Sequence, residues 1–210
     1  GCGGGGRNDP QSPPPDVAQE GRLASIARAA RARGESEVTV HVYYERVDVP
    51  SMTALLSDSS IVVATPTRTA LHVTPDGIST VQFFTAQRWL RQMPLDAKKC
   101  GAWSGPPPRA DEVFTVFPKG TAVIDGVTIR DTTFGHMEFD AGQRYLLFGL
   151  RCGDGYLGLT YMDDSILMVS SEGRLHPTRF RSNIPPALQE VVRLRTLKHL
   201  DQELRRIPAR

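Results

Sequence analysis

The stretch Asp140-Ala141-Gly142-Gln143-Arg144-Tyr145-Leu146-Leu147-Phe148-Gly149-Leu150 constrains this chain most. An acidic-glycine turn feeds a strand, Tyr145 to Leu150, with almost no polar face. Successive strand residues point to opposite sides of a sheet, so an unbroken apolar run is buried on both and marks the centre of a β core. From Ile61 to Leu175, short β-type segments alternate with glycine turns. The expected fold is therefore mainly β: a small OB-like or Greek-key β-barrel or sandwich, with an N-terminal helix and a C-terminal amphipathic helix.

A core of about 130 residues can be stable without metals or many disulfides. The apolar fraction is 40% and the formal net charge only +2, which is not the electrostatic footprint of a dedicated nucleic-acid binder. No run of eighteen apolar residues offers a spanning helix.

The chain opens Gly1-Cys2-Gly3-Gly4-Gly5-Gly6 and stays polar and proline-rich to Pro15, as if trimmed from a longer precursor. A Cys after a small residue, followed by a flexible tether, matches the end of a bacterial lipoprotein signal. Cys2 is then the candidate lipidation site, with residues 1–15 holding the domain off the membrane. Cys100 lies in a loop and Cys152 at a strand end, both expected near the surface. In an exported protein such a pair is a candidate disulfide. Closing a loop of about 50 residues would contribute roughly 4 kcal/mol on the chain-entropy model.

Residues 16–34 read as a basic helical appendage that Asp16 can cap and Gly34 ends, with a thin apolar side and a solvated, loosely docked character. A β-barrel domain follows over 35–177. Period-two alternation from Glu37 to Val49 predicts a half-buried strand, and Ser51 caps a short helix through Leu56. A long hairpin turns at Thr74-Pro75-Asp76-Gly77, with Gly77 expected to supply positive φ; Pro66 marks an edge or a bulge. Residues 93–110 form a loop that is either functional or disordered. Strands are expected at Glu112–Phe117, Thr121–Ile124, Val127–Ile129, Arg144–Leu150, Tyr156–Tyr161 and Ile166–Val169, the last ending the sheet. Residues 178–210 carry one C-terminal helix, its Leu188, Val191, Val192, Leu197, Leu200, Leu204 and Ile207 stripe packed on the barrel.

Several of these pieces recur together: Val38-Thr39-Val40-His41-Val42, the run from Val49 to Val63, Glu112 to Gly120, Asp125-Gly126-Val127-Thr128-Ile129, Phe139 to Phe148, and Glu172-Gly173-Arg174-Leu175. In this order they resemble a group of uncharacterised bacterial secreted or lipoprotein-like β domains. That group in turn distantly resembles the netrin/tissue-inhibitor-of-metalloprotease-like OB barrels. The resemblance spans roughly 37–177 and implies an OB-type barrel with no catalytic residues to transfer. The inhibitors of that class use a Cys at the start of the barrel. Cys2 lies far upstream of the first core strand, a departure from that pattern.

His136, Glu138 and Asp140 would share one face of a strand and are the weak candidates for a metal site, against the reading of an exposed polar face. Asp163 and Asp164 offer two carboxylates between strands that could hold calcium, against the reading that adjacent Asp residues in a turn satisfy turn backbone. No nucleophile elbow or phosphate-binding loop occurs, and no cofactor is expected. For single-stranded nucleic acid, Phe83, Phe84, Trp89, Trp103 and Tyr161 are the possible stacking residues, beside Arg68, Arg88 and Arg91. Trp103 sits on a proline-stiffened loop, and a stiff aromatic loses little entropy on binding, so it is the candidate partner-binding residue. The expectation is a non-catalytic, exported β-barrel interaction module, lipid-anchored in the cell envelope or secreted, whose partner is an unknown protein or envelope component. A metal-dependent enzyme and an OB-type nucleic-acid binder are the alternatives.

Overall fold

The computed structural model describes residues 21–43, 49–153, 155–180 and 183–210. In chain order the elements are α1 (Arg22–Ala32), β1 (Glu37–Val40), α2 (Met52–Asp58), β2 (Ser60–Thr74), β3 (Gly77–Arg91), α3 (Ala97–Cys100), β4 (Glu112–Phe117), β5 (Gly120–Ile124), β6 (Val127–Asp131), β7 (Arg144–Gly153), β8 (Tyr156–Leu159), β9 (Ile166–Val169), β10 (Leu175–Pro177), α4 (Pro186–Arg193) and α5 (Leu197–Arg206). The class is mainly β, in two sheets. The chain divides into two compact units whose boundaries fall inside β2, β3 and β4.

The first unit holds the three-stranded sheet β1-β6-β5, α1 and the tip of the β2–β3 hairpin. β5 and β6 are joined by Asp125-Gly126, both at positive φ, the geometry that suits a two-residue hairpin. β1 adds to β6 in parallel and stops at Val40, short of the expected Val49. Residues 44–48 lie outside the described residues.

The N-terminal helix is not a loose appendage. Leu23, Ala27 and Ala30 are buried against Ile78, Ala122, Ile124, Val127 and Ile129. Small alanines at three- and four-residue steps let the helix approach the sheet closely, so a thin apolar stripe suffices. Its N-cap is Gly21, which offers no side-chain cap. The hairpin tip serves instead: Leu23 N donates to the Pro75 carbonyl at 3.0 Å and Arg22 N to Asp76 Oδ1 at 3.4 Å. Asp16 lies outside the described residues. The tip itself closes differently from expectation. Gly77 is not at positive φ; Thr74 Oγ1 accepts from Gly77 N at 3.2 Å and holds the turn.

The second unit holds a seven-stranded sheet of order β10-β9-β7-β2-β3-β4-β8, in which β7 also pairs with β8. The extra pairing turns β7-β2-β3-β4-β8 into a ring. β2–β7 and β7–β8 are antiparallel, and β4 meets β8 in parallel at the single pair Phe114↔Tyr156. This partly closed Greek-key ring is the OB-like arrangement the sequence predicts. The β2–β7 ladder ends at Ala64, so Pro66 interrupts none of its hydrogen bonds.

β7 is the expected central strand. Tyr145, Leu146, Leu147 and Phe148 are each at most 1% exposed. Leu146 and Phe148 pack with Ile61 and Val63 into a core completed by α2, α4 and α5. Tyr145 and Leu147 alternate to the opposite side, where Tyr145 meets Phe139 and Phe180. Ser51 caps α2 by accepting from Ala54 N at 3.1 Å.

Two expectations about the C-terminal half change. The sheet does not end at β9, because β10 pairs antiparallel with it. The C-terminal helix is two helices, broken where Arg195 adopts φ 67° and Thr196 caps α5 by accepting from His199 N. The apolar stripe runs through the break, with Leu188, Val191, Leu200, Leu204 and Ile207 buried in one core and Val192 and Leu197 half-buried against it. Hydrophobic periodicity follows the face that must be buried and is blind to a helix break that keeps that face.

Candidate functional site

The 93–110 segment is neither free nor structureless. It carries α3, and Asp96 N donates to the Arg151 carbonyl at 2.8 Å. Arg151 Nη1 donates in turn to the Met93 carbonyl at 3.0 Å. Cys100 and Cys152 stand at disulfide distance, their Cα atoms 5.7 Å apart. Cys152 is buried rather than near the surface, since it lies in β7 beneath this segment.

Beyond α3 the segment folds back through Trp103. The indole tilts onto Phe114 at 4.8 Å and Tyr156 at 5.6 Å, and those two rings stack on each other at 5.0 Å. Its Nε1 donates to the Pro106 carbonyl at 3.1 Å. The indole covers Gly105 so closely that a Cβ there would stand 2.2 Å from the ring, so a glycine is needed. Trp103 therefore packs on its own ring as a half-buried side chain, and it is not presented outward on a stalk. Burial raises the Tyr156 phenol above its ordinary value.

The far end of the segment is fixed by a charge pair. Glu112, at the start of β4, is 5% exposed and accepts from Arg68 Nη2 at 2.7 Å, Arg68 Nε at 3.1 Å, Thr67 Oγ1 at 3.2 Å and Arg109 N at 2.9 Å. Arg68 lies over the Phe83 ring at 3.5 Å and donates to the Pro107 carbonyl at 3.1 Å. The Arg68 hydrogen bonds hold the Glu112 carboxyl below the usual carboxylate range despite its burial. Ala86 N donates to the Asp111 carbonyl at 3.0 Å.

These anchors frame an open groove of about 680 Å³ lined by Trp89, Pro107, Pro108, Arg109, Asp111 and Gly155. A smaller hollow of about 100 Å³ shares Trp89 and Gly155 with it and adds Arg151, Tyr156 and Leu95. Leu95 is 59% exposed, and the Arg151 guanidinium lies 5.8 Å from the Trp89 ring. The groove thus combines one aromatic wall, two rigid prolines and charges of both signs.

The other candidates are dispersed. Cys2 lies outside the described residues. His136, Glu138 and Asp140 are not on a strand; His136 ends a turn, and the irregular segment after it exposes Glu138 and Asp140 while burying Met137. Among the described residues no three His, Cys, Asp or Glu side chains are placed to hold a metal. Asp140 Oδ2 instead lies 3.9 Å from Arg179. Asp163 and Asp164 sit in a 3-10 turn, with Asp164 N donating to the Tyr161 carbonyl at 3.0 Å.

The arginines weighed for nucleic acid are engaged within the fold. Arg68 pairs with Glu112 and Arg88 with Asp201, and Arg91 donates to the carbonyls of Leu56, Leu204 and Ile207. Phe83 and Phe84 are fully buried. In the sequence Trp89 stands out only as a possible nucleic-acid stacking residue, and Leu95 carries no signal of its own. The proline run beside them was the one visible signal.

Comparison with family models, curated proteins and solved structures finds no match to this chain.

Proposed function

We propose that this chain is a non-catalytic, exported interaction module, lipid-anchored through Cys2, whose ring groove receives a protein or another cell-envelope component. The observation that carries the reading is the groove walled by Trp89, Pro107 and Pro108 along a segment tied down at Asp96, Cys100, Trp103, Pro107 and Arg109. A surface already ordered loses little entropy on binding, so its contacts count toward affinity. Trp89, which the groove shares with the adjoining hollow, and Leu95 of that hollow are the anchors in this reading, while Trp103 packs on Phe114 and Tyr156. The Cys100–Cys152 pair is compatible with an oxidising compartment.

The test is the intact mass of the protein from its native host, before and after reduction and alkylation. The expected result is a diacylglyceryl-sized addition on the Cys2 peptide, with Cys100 and Cys152 protected until reduced. An unmodified Cys2 together with free thiols at 100 and 152 would overturn the proposal. A photo-crosslinker at Leu95 should then label an envelope component in a way that Trp89→Ala abolishes.

A further inference from the structure

The junction of α4 and α5 forms a separate concavity, of about 430 Å³, that shares no lining residue with the ring groove or the hollow beside it. Its lining includes Arg193, Arg195, Arg206, His199, Gln202 and Glu203. Three guanidinium charges against one carboxylate leave +2 with histidine neutral. Glu203 is already 3.6 Å from Arg206. Arg193 and Arg195 have no ion pair among the described residues, so their charge is not offset locally.

The backbone explains why the arginines converge. Arg195 holds φ 67°, a left-handed conformation that glycine adopts freely and a branched carbon does not. The break is held by Leu175 N donating to the Arg195 carbonyl and Leu197 N to the Gly173 carbonyl, each at 2.9 Å. A glycine would make this turn without strain. An arginine there sets a guanidinium on a backbone that neighbouring strands over-determine, the circumstance in which strain marks a functional position. His199 Nδ1 lies 2.9 Å from the Leu194 carbonyl, which can only accept, so Nδ1 donates and Nε2 is left for another partner.

We propose that this junction is an anion site for a phosphate group, with Arg193, Arg195 and Arg206 as its ligands. Planar guanidinium forks match phosphate oxygens two at a time, and Gln202 adds neutral amide donors. The phosphate is either free or the headgroup of an anionic phospholipid. The proposal does not depend on Cys2 carrying lipid.

The test measures binding of inorganic phosphate by calorimetry and of phosphatidylglycerol/phosphatidylcholine vesicles by co-sedimentation, with pure phosphatidylcholine vesicles as reference. Arg195→Gly removes the guanidinium while suiting the backbone, so it folds. It should weaken binding about tenfold, as should Arg193→Gln, the loss expected for a charge-assisted contact. Arg205→Gln makes the same charge change outside the lining and should leave binding within about twofold. Binding of inorganic phosphate identifies free phosphate as the source. Binding of the phosphatidylglycerol vesicles alone identifies the headgroup. Equal weakening by Arg205→Gln, or no binding of either probe, would overturn the site.

Discussion

Replacing Arg68 with methionine keeps most of the side-chain stem but removes two of the four donors on Glu112. The carboxylate side chain is 2% exposed, whereas the arginine side chain is 30% exposed. Breaking a buried ion pair by removing one partner costs about 3–5 kcal/mol. Thr67 Oγ1 and Arg109 N still serve Glu112, so about 3 kcal/mol is expected, inclusive of the lost contact with Phe83. In a chain of this length that lowers Tm by roughly 6–12 °C. Glu112→Gln strands the arginine instead, which can turn to water, and should cost about 1–2 kcal/mol. The ordering matters more than either value: Arg68→Met must be the worse variant. Urea unfolding of both at neutral pH measures it. If Glu112→Gln costs as much as Arg68→Met, or if both cost under about 1 kcal/mol, the carboxylate is not the buried, dependent partner. The pair also predicts a pH dependence. Because the folded-state carboxyl is depressed, its stabilisation is complete above the ordinary value of 4.5 and is lost as pH falls through the lower folded value. The gap between the native protein and Arg68→Met should therefore be widest at neutral pH and narrow below pH 4.5.

Other outcomes follow from single contacts. Gly149→Ala places a Cβ 2.7 Å from the Gly158 carbonyl oxygen across the β7–β8 ladder, so it should destabilise by about 1–3 kcal/mol in denaturant titration. Cys152→Ser opens a closure over a sequence separation of 52, and it should lose roughly 4 kcal/mol relative to the oxidised protein and become insensitive to reductant. Trp103→Ala removes the cover over Phe114 and Tyr156; about 2–3 kcal/mol should be lost, and a variant as stable as the parent would mean the indole is not packed. Arg195→Gly should raise stability by about 1 kcal/mol, measured by thermal melting, because it relieves the left-handed turn.

Much of the fold was legible where one residue type answers one local demand. Ser51 caps α2, Asp125-Gly126 turns β5 into β6, and the apolar run of β7 is buried on both sides as its lack of a polar face requires. The site was only partly legible. Trp103 stands out in sequence, yet its role depends on Phe114 and Tyr156, two strands that meet only when the ring closes. Trp89 looks like any strand aromatic until Pro107 and Pro108 are laid beside it. His136, Glu138 and Asp140 had strand spacing without a strand to hold them.

From the sequence alone came the β class, the long hairpin, the helices α1 and α2, the helical C-terminal stripe, and the pairing of Cys100 with Cys152 as a candidate, because propensity, turn chemistry and periodicity are local properties. Tertiary structure alone decided three things. It docked α1, whose first amides find their acceptors on a hairpin more than fifty residues away. It broke the C-terminal helix at Arg195, where the neighbouring backbone at Leu175 and Gly173 holds the break. It also assigned Arg68, Arg88 and Arg91 to internal partners, because a charge's role depends on what is brought within hydrogen-bond reach, and chain distance does not encode that.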